Sequence, residues 1–324
     1  MATRKSPQDQ YRPPCHGIFR VLPASWIPYA ELMRLDRPAG YYAFYWHYGI
    51  GLSFGASVCR PLAAPATLVM LAVYLALWVV ILRGAVCTVN DNLDQDFDRQ
   101  VARTRFRPIA RGAVSTGQGY LFALAQFALG AAILLPLPPK AAIHAATTAA
   151  ILAVYPLAKR VTDFPQVILG LGFAVAVFVS CAALNVDPLD DGHRPATLSL
   201  FGACAIWTII FDTIYAHQDR RDDVRAGVRS LAVLLGERTK LALSMLAALQ
   251  VGLLAVVGFH SGFSPVYFVT TCGGTSLALT AMMTLVDLKK PASCAWWFGP
   301  GSSLVGACIV AGLASEYLWK WYYL

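Results

Sequence analysis

Nine stretches of this chain, at about residues 38–58, 65–89, 119–136, 141–158, 165–185, 197–217, 240–259, 265–286 and 295–317, are long and apolar enough to cross a bilayer. One crossing takes roughly 20 apolar residues wound as a helix. The connections are short and marked by Pro and Gly, which leaves no room for a soluble domain. Composition agrees: 57% of the 324 residues are hydrophobic, 14% are charged, and the mean hydropathy is +0.55. A soluble chain of this size is not that apolar. The expected fold is all-α, a polytopic bundle of nine transmembrane helices in a single domain over residues 38–324. Residues 1–37 form an N-terminal tail and an interfacial segment.

The net charge of +8 matters through its distribution. With these spans, the N-terminus and the loops after spans two, four, six and eight share one side, which holds 21 of the 26 Lys and Arg. Arg60, Lys140, Arg194 and Lys320 lie opposite, and Arg83 falls within a span. This asymmetry places the N-terminus on the cytoplasmic or equivalent side. It also excludes a nucleic-acid surface, because the charges flank membrane spans. The eight cysteines are scattered, mostly within spans, with no CxxC pair, so zinc and a disulfide framework are not expected. No cleavable signal peptide is visible, and MATRKSPQDQYRPP makes a poor mitochondrial presequence.

Span two ends in a concentrated charge pattern: Asn90, Asp91, Asp94 and Asp98, then Arg99, Arg103, Arg105, Arg107 and Arg111. If the helix continues, Asn90, Asp94 and Asp98 share one face, with Asp91 beside them. Carboxylates that close repel one another unless cations intervene, and all-oxygen ligands favour a hard ion, Mg²⁺ or Ca²⁺. The arginines suit an oxygen-rich anion such as phosphate. A solvated loop with mutually neutralising charges is the plainer reading of one such cluster. Span six, however, ends in a second: Asp212, Tyr215, Asp219, Asp222 and Asp223, with Arg220, Arg221, Arg225 and Arg229. Asp91–Asp98–Arg99 and Asp212–Asp219–Arg220 have the same spacing and lie four spans apart, so both emerge on the same side. Two facing acidic helix ends can hold about two Mg²⁺ ions bridged by one diphosphate.

Other residues support this reading less directly. Arg83 lies two turns before Asn90, where an unpaired charge is costly, so it is expected to face the site and bond a carboxylate. Span four delivers Tyr155, Lys159 and Arg160 to the same side. Residues 18–37 read as an interfacial segment ending in Arg34 and Arg37. Span one is unusually aromatic, GYYAFYWHYGIG; its rings suit either a cation in an apolar site or a core or interface belt. His47 is a candidate acceptor contact there, against the alternative of a satisfied core histidine. The loop at 186–196 reads as solvated, and spans seven to nine as wall and tail channel.

N-D-N-L-D-Q-D-F-D-R at 90–99 resembles the NDxxDxxxD motif of the UbiA superfamily of membrane prenyltransferases. D-T-I-Y-A-H-Q-D-R-R-D-D at 212–223 looks like that superfamily's second motif in its 4-hydroxybenzoate polyprenyltransferase form. R-L-D-R-P-A-G at 34–40, R-T-R-F-R-P at 103–108 and Y-P-L-A-K-R at 155–160 also resemble that branch, so the likeness covers nearly the whole chain. It implies a nine-helix bundle, capped by loops on the cytoplasmic side, that binds a prenyl diphosphate through Mg²⁺ and prenylates an aromatic ring. Carried over, Asn90, Asp91, Asp94, Asp98, Asp219 and Asp223 would hold Mg²⁺. Arg103, Arg107 and Lys159 would contact the diphosphate with Asn90 and Tyr155 close by, Asp212 and Tyr215 would support the second motif, and Arg37 would face the acceptor.

The aromatic span one and the short N-terminus are more like fungal enzymes that prenylate phenolic polyketides than like ubiquinone enzymes. The expected reaction is therefore transfer of a farnesyl group from farnesyl diphosphate to an orsellinic-acid-like phenol, in ER or Golgi membranes and with no obligate protein partner. The alternative is a 4-hydroxybenzoate polyprenyltransferase of the mitochondrial inner membrane. An ion-transporting or lipid-binding bundle fits less well with an acidic site at the membrane edge beside diphosphate-type arginines. Enzymes of the superfamily acting on haem, chlorophyll or phospholipid precursors, or cyclising terpenes, fit the second motif less well.

Overall fold

The computed structural model describes residues 11–323; residues 1–10, on which the presequence expectation largely rests, lie outside the described residues. A short helix α1 (Ile27–Leu32) precedes α2 (Ala39–Val58), α3 (Pro65–Leu93) and α4 (Gln95–Asp98). There follow α5 (Thr116–Leu134), α6 (Pro139–Val161), α7 (Pro165–Ala183) and α8 (Arg194–Ala216). After α9 (Arg220–Ala226) and α10 (Leu231–Leu235) comes α11 (Thr239–Ser261). The last two crossings each contain a π turn: α12 (Pro265–Tyr267) leads through Phe268–Gly273 into α13 (Gly274–Leu285), and α14 (Pro291–Trp296) through Trp297–Gly301 into α15 (Ser302–Tyr323).

The chain marks these starts in its sequence. Pro65, Pro139, Pro165, Pro265 and Pro291 each open a helix, where the missing N–H costs nothing and the fixed φ suits the first turn. Ser115 and Gln118 form a reciprocal capping box at the start of α5.

Among the described residues, eight helices are long and apolar enough to cross a membrane. The expected nine is one too many by this measure. Helix α2 stands where the first span was placed and runs for 20 residues, but it is not one of the eight. Four tyrosines, His47 and two serines dilute its apolarity. Several of these polar atoms bond within the bundle: Tyr45 Oη donates to Ala72 O at 2.9 Å, and Tyr48 Oη accepts from Trp78 Nε1 at 3.0 Å.

Between α2 and α7 the backbones meet at Gly51, where a Cβ would lie 2.7 Å from the Val177 Cα. Gly170 brings α7 equally close to α8, at 2.6 Å from the Ala205 carbonyl. In lipid, where helix association relies on packing rather than on the hydrophobic effect, small residues make such approaches possible. The core is centred on Phe44, Tyr48, Phe54, Trp207 and Phe211, all nearly inaccessible. Val69, Met70, Val73 and Leu77 on α3, and Leu121 and Leu124 on α5, point outward as a lipid-facing surface.

Candidate active site

The ends of α3 and α8 and the starts of α2 and α7 converge at one face of the bundle, around a cavity of about 450 Å³. Helix α3 stops at Leu93, yet Asp94 N still donates to Asn90 O and Asp98 N to Asp94 O, both at 2.8 Å. Helical spacing is thus kept across the break. Asn90, Asp94 and Asp98 line the cavity together, as their spacing predicts. From α8 and α9 come Asp212, Tyr215, Asp219 and Asp223; from α6 come Tyr155 and Lys159; from the 99–114 loop come Arg103 and Arg107. Arg37 and Arg83 also line it.

Two predicted site residues stand apart from this lining. Asp91, one position round the helix, is buried behind it between Arg34, with which it pairs closely, and Arg107 Nη1 at 3.3 Å. His47 is fully buried away from the cavity. Its Nδ1 lies 2.9 Å from Ala43 O and its Nε2 2.9 Å from Thr208 Oγ1, so both ring nitrogens are occupied and no acceptor contact remains. Arg83 faces the site as expected but bonds no carboxylate. It donates to the carbonyls of Arg34 (3.1 Å) and Arg37 (2.7 Å), fixing the turn between α1 and α2.

Four of the six site aspartates are matched by a cation, Asp91 by Arg34 and Arg107 as above. Lys159 Nζ donates to Asp94 Oδ2 at 2.8 Å, Arg107 Nη1 to Asp98 at 2.9 Å, and Arg103 Nε to Asp219 at 2.9 Å. Arg103 also donates to Tyr215 Oη at 3.1 Å, joining the 99–114 loop to the second motif. Ala102 N donating to Asp222 Oδ2 at 3.2 Å closes the same junction. Burial would lower the pKa of Arg107, but Asp91 and Asp98 beside it raise it overall. Burial, with Asp219 adding to it, pushes the Asp223 carboxyl up to about 7. A carboxyl held near neutrality beside a second acid is the setting in which a bound cation is favoured.

The donor chemistry fits a hard divalent ion. Asp91 Oδ2 and Asp94 Oδ1 are buried carboxylate oxygens with no hydrogen-bond partner, a costly condition that a cation relieves. As the side chains stand, no three acidic, His or Cys groups among the described residues are placed to hold one ion. The lysine and arginine partners occupy the carboxylates instead.

Sequence reasoning gave Arg34 no role in the site beyond ending the interfacial segment and opening the R-L-D-R-P-A-G stretch. Arg34 sits in the left-handed region (φ 58°), and its side chain is buried against Asp91. The apolar lining of the cavity was missed too: Phe44, Phe173, Phe211 and Phe298 contribute to it, with Phe173 stacked on Phe44 at 4.3 Å between centroids. In sequence these rings cannot be told from ordinary core.

The 99–114 loop is held from outside by a strap. Arg111 Nη2 donates to Glu31 Oε2 at 2.6 Å, Tyr11 Oη donates to Glu31 Oε1 at 3.0 Å, and the Arg111 guanidinium lies 3.9 Å from the Tyr11 ring centroid. Glu31→Gln is expected to loosen the loop that carries Arg103 and Arg107. A loss of about 1 kcal/mol, the net worth of one intramolecular hydrogen bond, predicts roughly a fivefold rise in donor KM with the acceptor KM unchanged. Steady-state kinetics at saturating co-substrate checks it, and an equal rise in both KM values would remove the strap from donor binding.

The UbiA prenyltransferase family pattern matches residues 50–314. DMOA farnesyltransferase nvfB of Aspergillus novofumigatus is 39% identical over 259 residues, covering 79% of this chain and 80% of the relative. The human mitochondrial 4-hydroxybenzoate polyprenyltransferase is 35% identical over 299 residues, covering 90% and 76%. The solved structure of a UbiA homologue from Archaeoglobus fulgidus bound to GPP and Mg²⁺ superposes with a TM-score of 0.68 over 89% of this chain and 99% of that one. At 20% identity this likeness speaks for the fold. Multi-pass apolar helices with paired acidic ends over one cavity define an integral-membrane transferase. More specifically, the chain belongs to the UbiA prenyltransferase family and is a prenyltransferase.

Proposed function

We propose that this enzyme transfers a farnesyl group from farnesyl diphosphate to an orsellinic-acid-like phenolic acid in meroterpenoid synthesis. The observation that carries the proposal is a single cavity lined both by carboxylates and cations and by aromatic rings. The farnesyl assignment leans on the fungal relative whose name states that activity.

In this reading Asn90, Asp94, Asp98, Asp219 and Asp223 hold Mg²⁺, with Asp91 supporting them from behind. Mg²⁺ there would neutralise the diphosphate and make it a better leaving group. Arg103, Arg107 and Lys159 bind the diphosphate oxygens, exchanging carboxylate partners for phosphate, with Tyr155 alongside. As the allylic C–O bond breaks, the faces of Phe44, Phe173, Phe211 and Phe298 stabilise the carbocation and exclude water. A ring carbon of the phenol forms the new C–C bond, and loss of its proton restores aromaticity. Arg37, half-exposed in the cavity lining and paired with Asp36 at 3.0 Å, would meet the acceptor carboxylate in this reading. The ER or Golgi membrane is the proposed location.

The test is to incubate membranes with geranyl, farnesyl, geranylgeranyl and longer diphosphates against a panel of phenolic acids, and to weigh the products. A farnesylated orsellinic-type product is expected, as is failure to rescue a ubiquinone-deficient strain. Rescue of that strain, with inactivity toward farnesyl diphosphate, would instead assign the chain to 4-hydroxybenzoate polyprenylation in the mitochondrial inner membrane.

A further inference from the structure

Among the described residues, the face opposite the aspartates carries four Lys and Arg residues: Arg60, Lys140, Arg194 and Lys320. Two of them are neutralised locally, Lys140 by Asp187 at 2.5 Å and Arg194 by Asp191 at 2.6 Å. Among the described residues, Arg60 and Lys320 form no ion pair, and these two line the same cavity of about 720 Å³. They come from opposite ends of the chain, Arg60 from the link between α2 and α3 and Lys320 from the last turns of α15.

Their donors are only partly used. Lys320 Nζ donates to Ser57 O at 2.9 Å and lies 5.1 Å from the Phe263 ring, while Arg60 Nη1 donates to Cys59 O at 2.9 Å. An ammonium has three donors and a guanidinium five, so most N–H groups remain for a ligand. Ser261, in the same lining, has a buried hydroxyl oxygen with no hydrogen-bond partner. Thr67, Asn185, His193 and His260 complete the polar wall. The two acids present are engaged elsewhere: Asp187 by Lys140, and Asp190 by the Gly192 amide at 3.2 Å. Val58, Leu62, Leu184 and Val186 make the remaining surface apolar.

Unpaired cations beside a bilayer are costly unless an anion joins them. On a face from which basic residues are otherwise nearly absent, two of them sharing one cavity is a built feature. We propose that this cavity binds a phosphate-bearing headgroup, with Arg60 and Lys320 holding its oxygens and the apolar wall receiving the start of an acyl chain. Basic pockets between membrane helices are suited to this class of ligand. A phospholipid of the adjoining leaflet and free phosphate share the chemistry, and the experiment separates them. The site lies about one membrane thickness from the aspartates, since α2 spans the distance with 20 residues at 1.5 Å each.

The test uses the full-length enzyme in detergent, titrated separately with dioleoyl phosphatidate, dioleoylglycerol and inorganic phosphate, with bound ligand read by native mass spectrometry and stability by thermal unfolding. Phosphatidate should bind and raise the Tm, dioleoylglycerol should not, and the Arg60→Gln/Lys320→Gln double variant should lose roughly tenfold in affinity for each charge removed. Prenyl transfer by the double variant should stay within about twofold of the wild type. If the double variant fails to accumulate, the exposed Arg60→Gln alone should show the single-charge loss. Inorganic phosphate competing with phosphatidate at comparable concentration would support the site and make its occupant a soluble anion. Equal phosphatidate binding by wild type and variant, or no binding of either phosphate, would overturn the proposal.

Discussion

Alanine at Asp94, Asp219 or Asp223 should abolish prenyl transfer while the protein still inserts and accumulates. Each substitution removes an oxygen ligand from the proposed Mg²⁺ site, and removal of a preorganised charge from such a centre costs at least roughly a hundredfold to a thousandfold in rate. Alanine at Asp94 or Asp219 also strips a buried cation of its partner, as with Lys159 on Asp94 at 2.8 Å. An orphaned buried charge destabilises by about 3–5 kcal/mol, so the asparagine variants are the control: shape is kept and only the charge is lost. Asp91→Ala is expected to be equally inactive by another route, since it would free both Arg34 and Arg107 from the carboxylate they share. Membranes incubated with labelled farnesyl diphosphate, normalised to protein by immunoblot, provide the measurement. Wild-type-like turnover by any two of the four alanine variants would refute the metal site.

Lys159→Ala and Arg107→Ala should act on the donor. Lys159 reaches the cavity from α6 with its ammonium 5.4 Å from the Tyr155 ring centroid, and Arg107 reaches it from the 99–114 loop. Charge-assisted bonds to phosphate are worth about 1.5–3 kcal/mol each, so kcat/KM for the donor should fall roughly tenfold or more. The acceptor KM should hold. A change confined to the acceptor KM would move the side chain to the other substrate.

What could be read from sequence was what periodicity and charge encode. Asn90, Asp94 and Asp98 share a face because residues four apart on a helix do, and the structure sets them on one wall. The same rule turns Asp91 about 100° away, which is why its task is to hold two arginines from behind. Arg83 was expected to bond a carboxylate because a charge within a span needs a partner. Backbone carbonyls of the 34–37 turn served instead, and no pattern in the sequence announces them. The aromatic run of α2 could be neither assigned nor dismissed from sequence: Phe44 became cavity wall, His47 a satisfied core residue, and Tyr42 faces outward. Which ring does which depends on what α7 and α8 present to it, and that is tertiary information.

The π turn at Trp297–Gly301 has a consequence for how this chain can vary in length. Phe298 lies in that turn, 4.2 Å from the Tyr215 ring and 5.6 Å from Phe211 between centroids. Beyond it on α15, Gly306 admits Trp46 and Trp207 so closely that a Cβ would stand 2.7–2.8 Å from them. A π turn accommodates one residue more than an α turn. Deleting a single residue from 297–301 would restore regular winding and leave the two flanks on their present faces, whereas adding one would rotate one side of the helix by about 100° against the other. With a residue added, either Phe298 would leave the second aspartate motif or Gly306 would leave the indoles. A surface loop absorbs a change in either direction; here one residue can be lost and none gained.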